Sequence, residues 1–276
     1  MLSVLLAAAI LAQSPPREES LITERYEVYG PSSAAVQNAV KELDTAAGRF
    51  TRYFGEAPPK VAIYLIESPA DAGRIDISSF ARRGVPVLPF PIMEADQMRS
   101  KVPASIELQV LAHEACHVFL IAYVDQRLPP DARPPSSLSA ADPLAGILSF
   151  GQPQRAPVSG DKYGHPAIAD WLDEAAAMIC ESDAMLDTRR KNIARAETAD
   201  VIPFAELTAM PHPNVGKLSS ERTLVYYDEI YSLVQFLSER EGPQTLGKIV
   251  RLAIAGTPLP YDWKTLEREW RQWVKK

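Results

Sequence analysis

The five residues His113-Glu114-Ala115-Cys116-His117 constrain this chain more than any other stretch. They form an HExxH box. Histidines four apart in an α-helix lie on one face, about 40° apart around the axis, so both imidazoles can reach one zinc ion. Glu114 stands one step around the helix, where it can reach a metal-bound water without itself binding the metal. The chain has four histidines, and two of them are here. Ile106, Leu108, Val110 and Leu111 precede the box, and Val118, Phe119, Leu120 and Ile121 follow it. A solvated helix does not carry such flanks. The box therefore belongs to a buried helix with one polar face, and the fold must wrap a core around it.

A catalytic zinc ion usually takes three protein ligands and one water. The strongest candidate for the third is Glu174, in Ala169-Asp170-Trp171-Leu172-Asp173-Glu174-Ala175-Ala176-Ala177. This is a second apolar helix with acids set into it. Glu174 stands before three alanines, where packing is tight, and a buried carboxylate needs a cation. Asp170 suits an acid favoured by the macrodipole at a helix N-terminus. Asp170, Asp173 and Glu181 are the alternatives to Glu174. His165 and His212 lie in loops flanked by Gly or Pro and read as surface or loop histidines rather than ligands.

The pairing of HExxH with a downstream W-L-x-E-G-x-A segment resembles the signature of the gluzincin metallopeptidases, the clan of thermolysin and aminopeptidase N. Here the segment is Trp171-Leu172-Asp173-Glu174-Ala175-Ala176-Ala177, with Ala175 where Gly is usual. The resemblance implies Glu174 as third ligand beside His113 and His117, with Zn2+ as cofactor. The interval from His117 to Glu174 is longer than in the best-known members, and the 125–165 loop accounts for it. Tyr227-Asp228-Glu229-Ile230-Tyr231 resembles the segment that opens on a catalytic tyrosine in aminopeptidase-type members, which implies that role for Tyr227, with Tyr231 as the fallback. Gly242-Pro243, Leu246, Ile249-Val250 and a Trp-rich last helix resemble the peptidase-MA-like bacterial proteins of the clan. The likeness covers residues 100–276. It implies a zincin-like α+β fold and hydrolysis of peptide bonds by a metal-activated water, with Glu114 as general base and a peptide or protein as substrate. No glycine-rich substrate motif of the aminopeptidase kind is present, so aminopeptidase activity does not follow. Two other readings stay open: a non-catalytic binding or envelope protein on the same fold, and a zinc hydrolase of a non-protein amide.

The 276 residues suffice for one large domain or two lobes, and the net charge of −6 is mixed along the chain. No basic block points to nucleic acid. The apolar stretch from Leu2 to Ala12 is too short to span a bilayer and resembles a secretory signal. Residues 1–13 are thus an expected signal peptide and 14–276 a single exported catalytic domain, periplasmic or secreted, with no stable membrane insertion. Its N-terminal α/β lobe runs over about 21–124 and contains a mixed sheet. Its helical C-terminal lobe runs over about 166–276.

Expected elements include a strand over Leu21–Tyr29, a helix capped by Ser32 or Ser33 and running to about Tyr53, and a strand over Lys60–Ile66. A stretch from Val85 to Ile92 is demoted to an edge strand or loop by its prolines. The HExxH helix covers about 105–123. Helices follow over 167–184, extending past Arg190, and over 203–210, 219–240, 243–255 and 262–275. The last carries Trp263, Leu266, Trp270 and Trp273 as a packing stripe. The 125–165 loop is either a rim over an active site or a solvated insertion. Cys116 and Cys180 sit on the two helices expected to meet at the metal, and in an oxidising compartment they could pair. Against this, Cys180 lies six residues beyond Glu174, about 240° around an unbroken helix.

Overall fold

The computed structural model describes residues 19–67, 69–92, 104–132, 164–196, 200–215 and 217–275. The expected signal peptide and most of the 125–165 loop lie outside the described residues. A four-stranded mixed sheet has the order β1 (Glu19–Ile22), β2 (Tyr26–Gly30), β3 (Val61–Ile66), β4 (Val87–Pro91). The first pair is antiparallel and the next two are parallel. Helix α1 (Ser33–Phe54) crosses from β2 to β3. The short helices α2 (Pro69–Ala72) and α3 (Ile77–Arg82) lie between β3 and β4.

The single strand expected over Leu21–Tyr29 is a hairpin. Thr23 breaks it: its hydroxyl accepts the backbone N–H groups of Arg25 and Tyr26 and donates to the Tyr26 carbonyl. A short side chain that bonds its own backbone turns the chain without Gly or Pro. Among the described strands the proline-bearing β4 takes an edge, pairing with β3, where a missing N–H is tolerated. In α1, Ser32 caps the start by accepting from the Ala35 N–H, and Gly55, at φ 82°, ends the helix in the left-handed region.

The HExxH box lies in α4 (Ala104–Arg127). From Leu111 to Val124 nearly every residue of α4 is buried, with His113, Glu114 and Ile121 the half-buried exceptions. An apolar helix of this kind is an interior element, and its polar residues sit on one narrow stripe. On one side it packs against α1 through aromatic edges, with Phe50 5.9 Å from Phe119 and Phe54 5.0 Å from Tyr123 between ring centroids. Its other side meets the helical lobe.

That lobe contains α5 (Asp170–Met178), α6 (Asp183–Arg195), α7 (Phe204–Leu207), α8 (His212–Val215), α9 (Ser220–Glu241), α10 (Thr245–Ile254) and α11 (Trp263–Val274). The long helix expected from 167 past Arg190 is broken. Helix α5 stops at Met178, and Ser182 caps α6 by accepting the Met185 N–H. In the last helix Leu266 and Trp270 are buried, and Trp270 donates to the Ser232 hydroxyl at 2.9 Å. One apolar core runs without interruption from Tyr26 and Val28 in the sheet, through α1 and α4, to Trp270.

The break between α5 and α6 also settles the cysteines. Cys180 lies past the end of α5, so the angular argument against pairing fails. It forms a disulfide with Cys116, Cα to Cα 6.4 Å. The bridge closes a separation of 64 residues, and by chain entropy a loop of that length stabilises the fold by about 4 kcal/mol.

Candidate metal centre

Helices α4 and α5 bring His113, His117 and Glu174 together: each offers a ligand atom, and these atoms lie within 4.8 Å of one another. The two histidine Nε2 atoms are 3.3 Å apart, and Glu174 Oε2 is 3.8 Å from the Nε2 of His113. The other ring nitrogens point outward to carboxylates. His117 Nδ1 meets Asp173 Oδ1 at 2.9 Å, and His113 Nδ1 meets Glu181 Oε1 at 3.0 Å. A carboxylate only accepts, so each Nδ1 carries the proton, and each Nε2 lone pair is left facing the other.

Two lone pairs at that distance need a cation between them. The negative surroundings of His117 supply one. Burial works against a charge on its ring, but Asp173, followed by Glu174 and Glu114, outweighs it, and the imidazole is pushed up to about 10. Zinc fits the same place. Two ligands bound about 2.0–2.1 Å from one tetrahedral ion stand about 3.3 Å apart, and imidazole with carboxylate is a usual zinc donor set. Carboxylates behind the imidazoles are the usual orienting partners of such ligands.

Those outer partners have supports of their own. Gly164, at φ 67°, lies so close to Asp173 that a Cβ there would sit 2.7 Å from Oδ2. Beside it, buried His165 accepts the Ala167 N–H at Nδ1 and turns Nε2 to Asp125 Oδ1 at 3.1 Å, fastening this segment to α4. His165 lies outside the cluster of His113, His117 and Glu174, and it is an internal clamp rather than the expected surface or loop residue. Burial opposes ionisation of Glu181, yet the Arg189 guanidinium and His113 outweigh it and hold the carboxyl below its ordinary range.

Glu114 is half-buried beside the two imidazoles in the chain, and its charge acts on both His117 and Tyr227. Tyr227 is half-buried on α9. Burial first, then the charges of Glu174 and Glu114, hold its hydroxyl in the protonated form well above the ordinary range. Its neighbour Tyr226 is fully buried, with the two rings edge-on at 5.3 Å, and its hydroxyl is raised by burial and then by Glu174. Tyr231 belongs elsewhere. Burial pushes it up to about 12, and the charges that act on it are those of Arg190, Tyr53 and Arg49.

Two further residues stand at the site that the sequence reading did not place there. His212 opens α8 and places Nδ1 3.4 Å from Glu174 Oε1, while its backbone N–H is gripped by Asp170 Oδ2 at 2.5 Å. The proline on either side made it read as a loop residue. Arg189 is the other, bound to Glu181 and Asp228. Comparisons with protein-family models, with curated proteins and with solved structures return no match.

Proposed function

We propose that this chain is an exported zinc metallopeptidase of gluzincin type and zincin-like fold, acting on peptide or protein substrates. The observation that carries the reading is the pair of facing Nε2 atoms, each imidazole backed by its own carboxylate, with Glu174 on the third side. His113, His117 and Glu174 hold the ion. Zinc bound there supplies Lewis acidity for a water and for the scissile carbonyl. Glu114 takes the water's proton and returns it to the leaving amine. Tyr227, kept protonated by its surroundings, donates a hydrogen bond to the oxyanion. A disulfide next to the centre suits an oxidising compartment, and no helix among the described residues is long and apolar enough to cross a membrane. Both accord with export.

The test uses the purified, zinc-loaded chain and its Glu114→Gln variant on a broad peptide library read by mass spectrometry. The variant retains zinc and loses about 10²–10⁴-fold in cleavage rate. A metallated variant that cleaves at the wild-type rate removes Glu114 from the base role. A zinc-bound wild type that cleaves no peptide moves the reading to a binding protein or to a non-protein amide.

A further inference from the structure

Arg189 is the only described guanidinium that reaches two of the acids around the metal centre at once. Its side chain is 13% exposed and lies on α6, which carries no ligand. Nε donates to Glu181 Oε2 and Nη2 to Glu181 Oε1, both at 2.6 Å, and Nη1 reaches Asp228 Oδ1 at 3.1 Å. The same Glu181 Oε1 accepts the His113 Nδ1–H. Asp228 directly follows Tyr226 and Tyr227 on α9. One side chain therefore ties a metal-ligand imidazole to the helix that carries both tyrosines.

The two histidines show why such a bracket is needed. Asp173 reaches His117 from within α5, on a short side chain pressed against Gly164. Glu181 reaches His113 from the segment between α5 and α6, on a side chain with one more rotatable bond. A carboxylate on that longer arm can turn away from the imidazole unless something fixes both oxygens. A guanidinium does so, because its donors form a rigid planar fork and still leave a further N–H free to reach Asp228. An ammonium offers a point charge without that geometry.

We propose that Arg189 is the positioning residue of the centre. It fixes Glu181 so that His113 presents Nε2 to the metal, and through Asp228 it sets the two tyrosines beside Glu174. This inference rests on the metal-centre reading above.

The test is Arg189→Lys in the full chain. Zinc affinity is measured by competition with a chromogenic chelator, and the imidazole nitrogens of the zinc-loaded protein are followed by ¹⁵N NMR. Zinc binding weakens by about 10–100-fold, the range for loss of an outer partner. The His113 Nδ1–H signal shifts or broadens while that of His117 stays in place. A structural role alone would move both histidines together or neither, and either result with unchanged affinity overturns the proposal. If the Lys variant does not fold, the paired change Arg189→Met with Glu181→Gln removes both buried charges together. It too loses about 10–100-fold in zinc affinity, and wild-type binding by that pair overturns the proposal. A wild type that binds no zinc ends the metal-centre reading and this inference with it. A wild type that binds zinc no more tightly than its Arg189 variants ends the inference alone.

Discussion

Glu27 in the sheet and Glu174 in the helical lobe are both almost fully buried, at 2% and 1% exposure, and their surroundings differ in kind. Glu27 has its counter-charge built in. Arg83 binds both its oxygens at 2.6 and 2.9 Å, Lys60 stands at 3.1 Å, and the Tyr29 hydroxyl donates at 2.9 Å. Arg83 pulls its carboxyl down to about 2 against the opposing effect of burial, with Lys60 and Tyr29 adding to the pull. Glu174 shares its interior with two more buried carboxylates, Asp173 and Glu181. The cations against that trio among the described residues include one guanidinium, Arg189, and the imidazoles of His113, His117 and His212, whose charge depends on a proton. Glu229 takes a third course. Its Oε2 accepts the Ile202 N–H at 2.7 Å, and burial pushes the carboxyl up to about 8, so that it keeps its proton at neutral pH. A buried acid can be paired, protonated or left for an outside cation. The cluster of His113, His117 and Glu174 is the place among the described residues where a metal ion could serve as that cation.

The strongest way to break this contrast is Glu174→Ala. Zinc affinity falls by more than about 100-fold, beyond the usual cost of an outer partner, and the metal-free chain melts no lower because a buried negative charge has gone. Calorimetric titration and a thermal scan check both halves, and unchanged zinc affinity would put Asp170, Asp173 or Glu181 in its place. Next is Glu229→Gln. The folded-state pKa of Glu229, about 8, lies above its ordinary 4.5, so its contribution to stability is full below pH 4.5 and is lost as pH rises through 8. Wild type and variant should therefore be closest in stability near pH 4.5. By pH 9 the variant gains up to about 5 kcal/mol on the wild type. A pH-independent difference in urea midpoints would show that Glu229 does not titrate in this range.

The smallest effect is expected for Glu27→Ala. Arg83 and Lys60 are partly exposed and recover some hydration, so the loss is about 1–2 kcal/mol, with zinc affinity unchanged. The sign of its pH dependence is opposite to that of Glu229. Its folded pKa of about 2 lies below 4.5, so its contribution is full above pH 4.5 and disappears as pH falls towards 2. Melting curves of wild type and variant should converge over that interval. A change in zinc affinity in this variant would mean that the two regions are coupled after all.

The helices were legible where one face repeats. Ser32, the apolar spacing of α1 and the flanks of the HExxH box fix their elements by local pattern. Glu174 was legible because an acid set among alanines is costly without a partner. The hairpin at Thr23 was not, because its turn depends on one hydroxyl rather than on Gly or Pro. The stop of α5 before Ser182 was written in a capping residue, but an apolar run ahead of it concealed the break. The roles of Glu181, as the partner of His113 rather than a candidate ligand, of His212, as a neighbour of Glu174 rather than a loop histidine, and of Arg189 were not legible for a different reason. Each gains its role from a residue on another element, as when Glu181 meets His113 across 68 positions, and no local period carries such information.

The Cys116–Cys180 bridge has a consequence for a chain that is cut. Cys116 lies between the two histidines of the box, and Cys180 lies just past the helix that bears Glu174. All backbone between them forms one covalently closed ring. A single hydrolysis event in that ring leaves the donor groups of the centre in one molecule. The severed halves cannot diffuse apart, so the donors keep a high effective concentration for one another and would retain a bound ion. A preparation nicked once there should run as one band on a non-reducing gel and as two after reduction, with zinc lost only in the second case.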